Sequence, residues 1–296
     1  MGEQIFGGDW TQDKLKRLEK YLLAYRAIFT GNPAARFYRT WYVDAFAGTG
    51  VLAQQEQSKQ ELNLFRDVYE DEESAQYLDG SARIALGLPN PFDRYLFIEK
   101  SKDKSTKLRA SIKQDFPSLF SRCEFKQGDA NTTLQSWCNE RNWSQERAVV
   151  FLDPYGMQVD WKTIETLANT KAVDLWYLFP LGIGVARLLT RDGVIDPSWQ
   201  RRLNSILGTE AWREQFYETH TTASLFGDFE DVKRKADEAR IESFISERLK
   251  GCFAGVAKGL ILRNSRSSPL YLLCFASANE KGARTAVKIA QQILEN

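Results

Sequence analysis

Four acidic residues stand where an apolar run ends, and each could do chemistry there. Asp44 follows Trp41-Tyr42-Val43 and opens Ala45-Phe46-Ala47-Gly48-Thr49-Gly50. Glycines, without a Cβ, let the backbone approach a ligand closely, and a carboxylate beside them suits a cationic ligand group better than a phosphate. Glu99, followed by Lys100, ends Tyr95-Leu-Phe-Ile98, where an acid can accept hydrogen bonds from two vicinal ribose hydroxyls. Asp129, within Gly128-Asp129-Ala130, follows Cys123-Glu-Phe125 and can accept from an adenine amino group. Asp153 ends Ala148-Val-Val-Phe-Leu152 and opens Asp153-Pro154-Tyr155-Gly156. Proline has no backbone donor, so this last turn offers acceptors to a substrate amino group, with Tyr155 placed to stack on a base or line a pocket. Each site has a plainer alternative, as a helix cap or a Gly-Asp turn. The four in this order are what turns them into a constellation. A dinucleotide site would show G-x-G-x-x-G opening a helix, and only one G-x-G is present here.

The elements that must carry these residues read as strands alternating with helices, hence a mostly parallel α/β sheet whose ligands sit at the carboxyl ends of its strands. Leu15, Leu18, Leu22, Tyr25 and Phe29 predict an amphipathic helix over 11–29, with Thr11 as its N-cap. Lys14, Lys16, Arg17 and Lys20 fall on what reads as its basic, solvated outer face, with contact to a polyanion or ligand as the alternative. Residues 51–80 hold eight acids against Lys59 and Arg66, and predict an acidic lid rather than an anion cradle. Val173 to Phe179 is another buried strand. After it residues 181–240 break the rhythm and read as a helical cap insertion, with His220, the single histidine, in a solvated loop. The runs 259–262 and 270–275 are joined by seven residues, too few for a parallel crossover, and predict an antiparallel hairpin. The domain reading is therefore an N-terminal helical segment 1–40, a core domain 41–180 with 241–296, and the insertion 181–240.

Composition bounds the partners. Forty basic against 39 acidic residues give a net charge of +1, with no global pull toward nucleic acid. Cys123, Cys138, Cys252 and Cys274 are widely spaced, without a C-x-x-C pair. No metal site or disulfide framework is expected, and reduced thiols in a cytoplasmic protein are the default. No apolar run is long enough for a membrane span, and no signal-peptide core is visible.

The pattern D-x-F-x-G-x-G over Asp44 to Gly50 resembles the cofactor loop of class I S-adenosylmethionine (SAM) methyltransferases. Over Tyr42-Val-Asp-Ala-Phe-Ala-Gly-Thr-Gly50, Phe92-Asp-Arg-Tyr-Leu-Phe-Ile-Glu-Lys100, Phe151-Leu-Asp-Pro-Tyr-Gly-Met-Gln-Val-Asp-Trp161, Leu178-Phe-Pro-Leu-Gly-Ile-Gly184 and Arg263-Asn-Ser-Arg-Ser-Ser-Pro-Leu-Tyr271, the chain resembles the three-Cys-motif partner (TcmP) proteins. That resemblance spans nearly the whole chain. It implies a Rossmann-like class I methyltransferase fold, with a mostly parallel seven-stranded sheet, a C-terminal antiparallel hairpin and a helical insertion. It implies SAM as cofactor, bound by Asp44, Phe46, Ala47, Gly48, Gly50, Glu99, Lys100, Asp129 and Ala130. Catalysis falls to Asp153, Pro154 and Tyr155. It also implies a bacterial or phage setting and a partner with a three-cysteine, radical-SAM-like motif.

Amino-group methyltransferases carry Asp/Asn-Pro-Pro-Phe/Tyr at the fourth position. Asp153-Pro-Tyr-Gly156 departs from this and is more similar to the Asp-Pro-Phe-Gly of tRNA guanine-amino dimethyltransferases. The expected activity is methylation of an exocyclic amino group of a nucleobase in nucleic acid. The acceptor stays open among tRNA, rRNA, DNA, protein and small molecules. The competing reading is a SAM-binding, non-catalytic partner or regulator of the three-cysteine protein; a third is another nucleotide enzyme on the same sheet.

Overall fold

The computed structural model describes residues 9–48, 80–222 and 229–296. Its elements, in chain order, are α1 (Asp9–Gly31), β1 (Arg39–Asp44), α2 (Gly80–Leu86), β2 (Arg94–Glu99), α3 (Lys102–Asp115), β3 (Cys123–Gln127), α4 (Ala130–Asn139), β4 (Glu146–Leu152), α5 (Trp161–Asn169) and β5 (Val173–Phe179). A π-helical turn, Leu181–Val185, leads to α6 (Pro197–Leu207), α7 (Trp212–Phe216), β6 (Tyr217–Thr222) and β7 (Phe229–Arg234). The chain closes with α8 (Glu238–Lys250), β8 (Gly255–Val256), β9 (Leu260–Arg263), β10 (Pro269–Ser277) and α9 (Ala283–Glu295).

Apolar runs without alternation become central strands because helices cover both faces of a parallel sheet. Every residue of β5 is buried, and so is all of β4 except Arg147. The strand order is β3-β2-β1-β4-β5-β10, with β1 to β5 parallel and β10 antiparallel to β5. This is a Rossmann-like, mostly parallel sheet, with its switch point between β1 and β4. Beyond β10, the last lane is shared end to end by β8, paired at Ala276 and Ser277, and β9, paired from Pro269 to Leu273. The sheet thus has eight strands in seven lanes, where the family resemblance implies seven strands. The β9–β10 hairpin is antiparallel, as seven linking residues require.

One face of the sheet packs against α4, α5 and α8 through Trp137, Trp161 and Ile245, and the inserted α6 and α7 join this layer through Leu203 and Trp212. The other face packs against α1, α2, α3 and α9 through Leu22, Ala85, Leu108 and Ala290. The inserted segment is not purely helical: β6 and β7 form an antiparallel pair, and His220 lies on β6 opposite Asp231 rather than in a loop. The β-branched content of Tyr217-Glu-Thr-His-Thr-Thr222 is the strand signal there. Helix α1 begins before Thr11, which is buried inside it and caps nothing. The acidic stretch 51–79, with Thr49 and Gly50, lies outside the described residues, so neither the lid nor the Gly50 assignment is addressed by the fold.

Candidate functional site at the carboxyl edge

Register fixes the site. Asp44 on β1 stands level with Phe97 on β2 and Phe151 on β4. Glu99 and Asp153 each lie two residues further along, about 7 Å past that level at the usual strand rise. Two-residue periodicity keeps them on the face that carries Tyr42, Phe97 and Phe151, which is the face α1 covers.

Asp44 has no exposed surface. Its Oδ2 accepts from the Ser81 hydroxyl at 2.6 Å and its Oδ1 from the Phe46 N–H at 3.2 Å. Burial pushes its carboxyl up to about 6, and the hydrogen bonds from Ser81 and Phe46 only partly offset this. Among the charged neighbours, Asp153 raises it and Lys14 lowers it, which places the three groups in one electrostatic cluster.

The loop after Asp44 is tied to β2. Ala47 donates to the Ile98 carbonyl at 3.0 Å, and Gly48 donates to Glu99 Oε2 at 3.0 Å. Gly48 sits at φ +63, and among the described residues a Cβ there would meet nothing within 4 Å, so the glycine serves backbone conformation. Glu99 Oε1 accepts from the Ser101 N–H at 2.7 Å. Among the described residues each Glu99 oxygen accepts one hydrogen bond, and a carboxylate oxygen has a second lone pair to offer a ligand hydroxyl. Phe46 is half-buried against the core, and Lys100 is exposed.

Asp129 is exposed and is the N-cap of α4, with Oδ1 accepting from the Thr132 N–H at 3.1 Å. The cap role leaves Oδ2 for an amino group. Ala130, buried, is the first residue of that helix. Asn131 then bridges to the fourth motif. It donates to the Gln158 carbonyl at 2.8 Å and accepts from the Asp160 N–H at 2.9 Å and the Thr163 hydroxyl at 2.8 Å. One side chain thereby sets the Asp129 turn against the segment that follows Asp153.

Pro154 is buried, Tyr155 is half-buried under the Lys104 ammonium, 5.6 Å from its ring centre, and Gly156 turns the chain at φ +67. A left-handed turn favours glycine over an aromatic residue at that place. The partner of Asp153 is Lys14, whose Nζ lies 2.5 Å from Oδ2, with 3% and 13% of the side chains exposed. Lys14 also lies 5.2 Å from the Trp10 ring, which stacks on Tyr271. Lys14 is therefore not on the solvated face its charge suggested. Its phase gives it away: positions 11, 14, 18, 22 and 25 form one stripe at helical spacing, and all are buried.

Among the described residues, no group of three or more His, Cys, Asp or Glu could hold a metal ion, the four cysteines are free, and no helix is long and apolar enough to cross a membrane.

No family model matches the chain, and no curated protein matches it. Solved structures do align with it. A Legionella pneumophila protein is 13% identical, over 88% of this chain and 95% of that one, with a TM-score of 0.39. The O-methyltransferase from Bacillus cereus, in complex with SAH, is 16% identical over 79% and 94%, with a TM-score of 0.32. Trm1 from Pyrococcus horikoshii, with S-adenosyl-L-methionine, is 12% identical over 95% and 77%, with a TM-score of 0.35. At such scores these likenesses decide nothing about the site, whose chemistry rests on its own geometry.

Proposed function

We propose that the chain is a SAM-dependent methyltransferase acting on an exocyclic amino group of a nucleobase. The observation that carries this reading is the set of carboxylates along the carboxyl ends of β1, β2 and β4, with Asp129 after β3, at the switch point of a 3-2-1-4-5 sheet. The residues fit the cofactor in three ways. Among the described residues, nothing fills the Cβ position of Gly48, each Glu99 oxygen accepts one hydrogen bond and has a lone pair over for a diol, and Asp129 Oδ2 accepts none. SAM would supply an activated methyl group on its sulfonium.

The rest is the protein's part. Asp44 offers a buried carboxylate to a cationic group, and burial raises its pKa because it disfavours the charged form. Asp153 and the backbone carbonyls around Pro154 accept hydrogen bonds from the acceptor's amino group and fix its orientation, which is where positioning lowers the barrier. Lys14 holds the Asp153 carboxylate through Oδ2, and Oδ1 has lone pairs to accept from the amino group. Tyr155, half-buried at the edge, gives a flat surface for a base. A base paired in a duplex would have to be turned out of its stack to reach Asp153. The likeness to the TcmP proteins adds a three-cysteine, radical-SAM-like partner to the proposal.

The test is transfer of labelled methyl from SAM to separate tRNA, rRNA, DNA and protein fractions. Label in a nucleic-acid fraction, recovered as an N-methylated base, is the expected result. Label in protein alone would overturn the acceptor class. SAM binding without transfer to any fraction would favour the non-catalytic partner.

A further inference from the structure

Helix α3 brings a run of cations to the rim of the carboxyl-edge site. From the end of β2 through this helix, the chain carries Lys100, Lys102, Lys104, Lys107, Arg109 and Lys113 against Asp103, although its 40 basic and 39 acidic residues balance as a whole. Helical phase divides the cations. At about 100° per residue, Lys104, Lys107 and Ser111 fall on one side of α3, and Lys102, Arg109 and Lys113 fall on the other. Contacts show where each side points. The Lys104 ammonium lies 5.6 Å from the Tyr155 ring centre, and Ser111 accepts from Arg83 of α2 at 2.9 Å, so the first side looks toward the fourth motif. Arg109 lies 5.6 Å from the ring centre of Phe125 on β3, the edge strand, so the second side looks away from it.

Elsewhere exposed lysines have carboxylate partners: Lys171 meets Glu280 at 2.9 Å, and Lys250 meets Glu247 at 2.7 Å. Among the described residues, Lys104 and Lys107 form no ion pair. Cations held one turn apart without counterions repel, and a polyanion relieves that repulsion. The acids of the site lie deeper. Asp44 has no exposed surface and the Asp153 side chain is 13% exposed, whereas Lys107 is exposed and Lys104 half-buried. A floor of acceptors is thus bordered by a cationic rim, with the Tyr155 ring beside Lys104. An acidic peptide would satisfy the cations and leave the ring and the acceptors unused. A nucleic-acid strand brings phosphates for the rim, a flat base for the ring and amino groups for the floor. We propose that Lys104 and Lys107 hold the sugar–phosphate backbone of a nucleic-acid strand whose target base enters beside Tyr155. This proposal rests on the reading of Asp153 and Tyr155 as the acceptor's place.

The experiment is fluorescence anisotropy of a labelled single-stranded RNA of about 12 nucleotides, titrated with the whole chain at several salt concentrations. The wild type should bind with a Kd on the order of 1–100 μM at low salt. Lys104→Gln with Lys107→Gln should weaken binding roughly tenfold or more at about 0.1 M salt, and should lower the slope of log affinity against log salt by about 1.4, the share of two phosphates. Lys102→Gln with Lys113→Gln removes the same charge from the other side of the same helix, and should stay within about threefold of wild type. Circular dichroism should show both double variants folded. No binding by the folded wild type at about 1 mM, equal losses in the two double variants, or equal competition by a glutamate oligomer of the same length would each overturn the proposal. The readout needs neither SAM nor methyl transfer. Strand binding with the expected pattern, but no methyl transfer to any fraction, would therefore uphold this interface and count against the proposed activity alone.

Discussion

Asp44 and Lys14 show how burial decides what a charge does. Asp44 has a folded-state pKa of about 6, above its ordinary value, so it is ionised only above that pH. A cationic ligand group favours the ionised form. SAM affinity should therefore be full above about pH 7 and fall as pH drops through 6, approaching tenfold per unit. Calorimetry at three pH values checks this, and Asp44→Asn should bind more weakly with the slope removed; an unchanged slope in that variant would clear Asp44 of the role. Lys14 and Asp153 make a buried pair, and removing one partner strands the other charge. Lys14→Met and Asp153→Asn should each lower stability by about 3 kcal/mol or more, and the double variant should recover part of that loss. Chemical denaturation measures the cycle. A strictly additive double variant would mean the two charges do not interact. In the same preparations Asp153→Asn should keep SAM binding and lose about 10²-fold or more in turnover, the scale of one preorganised polar group.

At the scale of elements, the strands and their acidic ends were legible because their signals are local: an apolar run, then a carboxylate. The partner of Asp153 was not, because Lys14 was read by its charge rather than by its helical phase with Leu18, Leu22 and Tyr25. The short β6–β7 pair was hidden among helical pieces, since a Thr-rich run with a lone histidine carries no alternation. In Leu181-Gly-Ile-Gly184 the structure gives Gly182 a tight packing task. A Cβ there would stand 1.8 Å from the Pro269 carbonyl oxygen, where the π-helical turn meets the start of β10. Gly182→Ala should cost about 3 kcal/mol or more, because backbone must move on one side or the other. A melting temperature within a degree or so of wild type would show that the two segments are free to separate.

Over the whole molecule, the strand order brings residues 44, 99, 129 and 153, scattered through more than a third of the chain, to one edge. Sequence order predicts that arrangement because parallel strands with crossover helices must return to the same end. What sequence could not supply was the buried network at the amino edge, since Tyr21, Asp174 and Ser277 meet only after α1, β5 and β10 have packed. The central claim is that the carboxyl edge binds SAM through Glu99 and its neighbours. Its most direct test is calorimetric titration of SAM into the wild-type chain and Glu99→Ala, both shown to be folded. Saturable binding is expected on the order of 1–100 μM, weakened about tenfold or more in the variant, which loses the diol acceptor and the tie to Gly48. No binding by the folded wild type at about 1 mM, or equal affinity in Glu99→Ala, would contradict it.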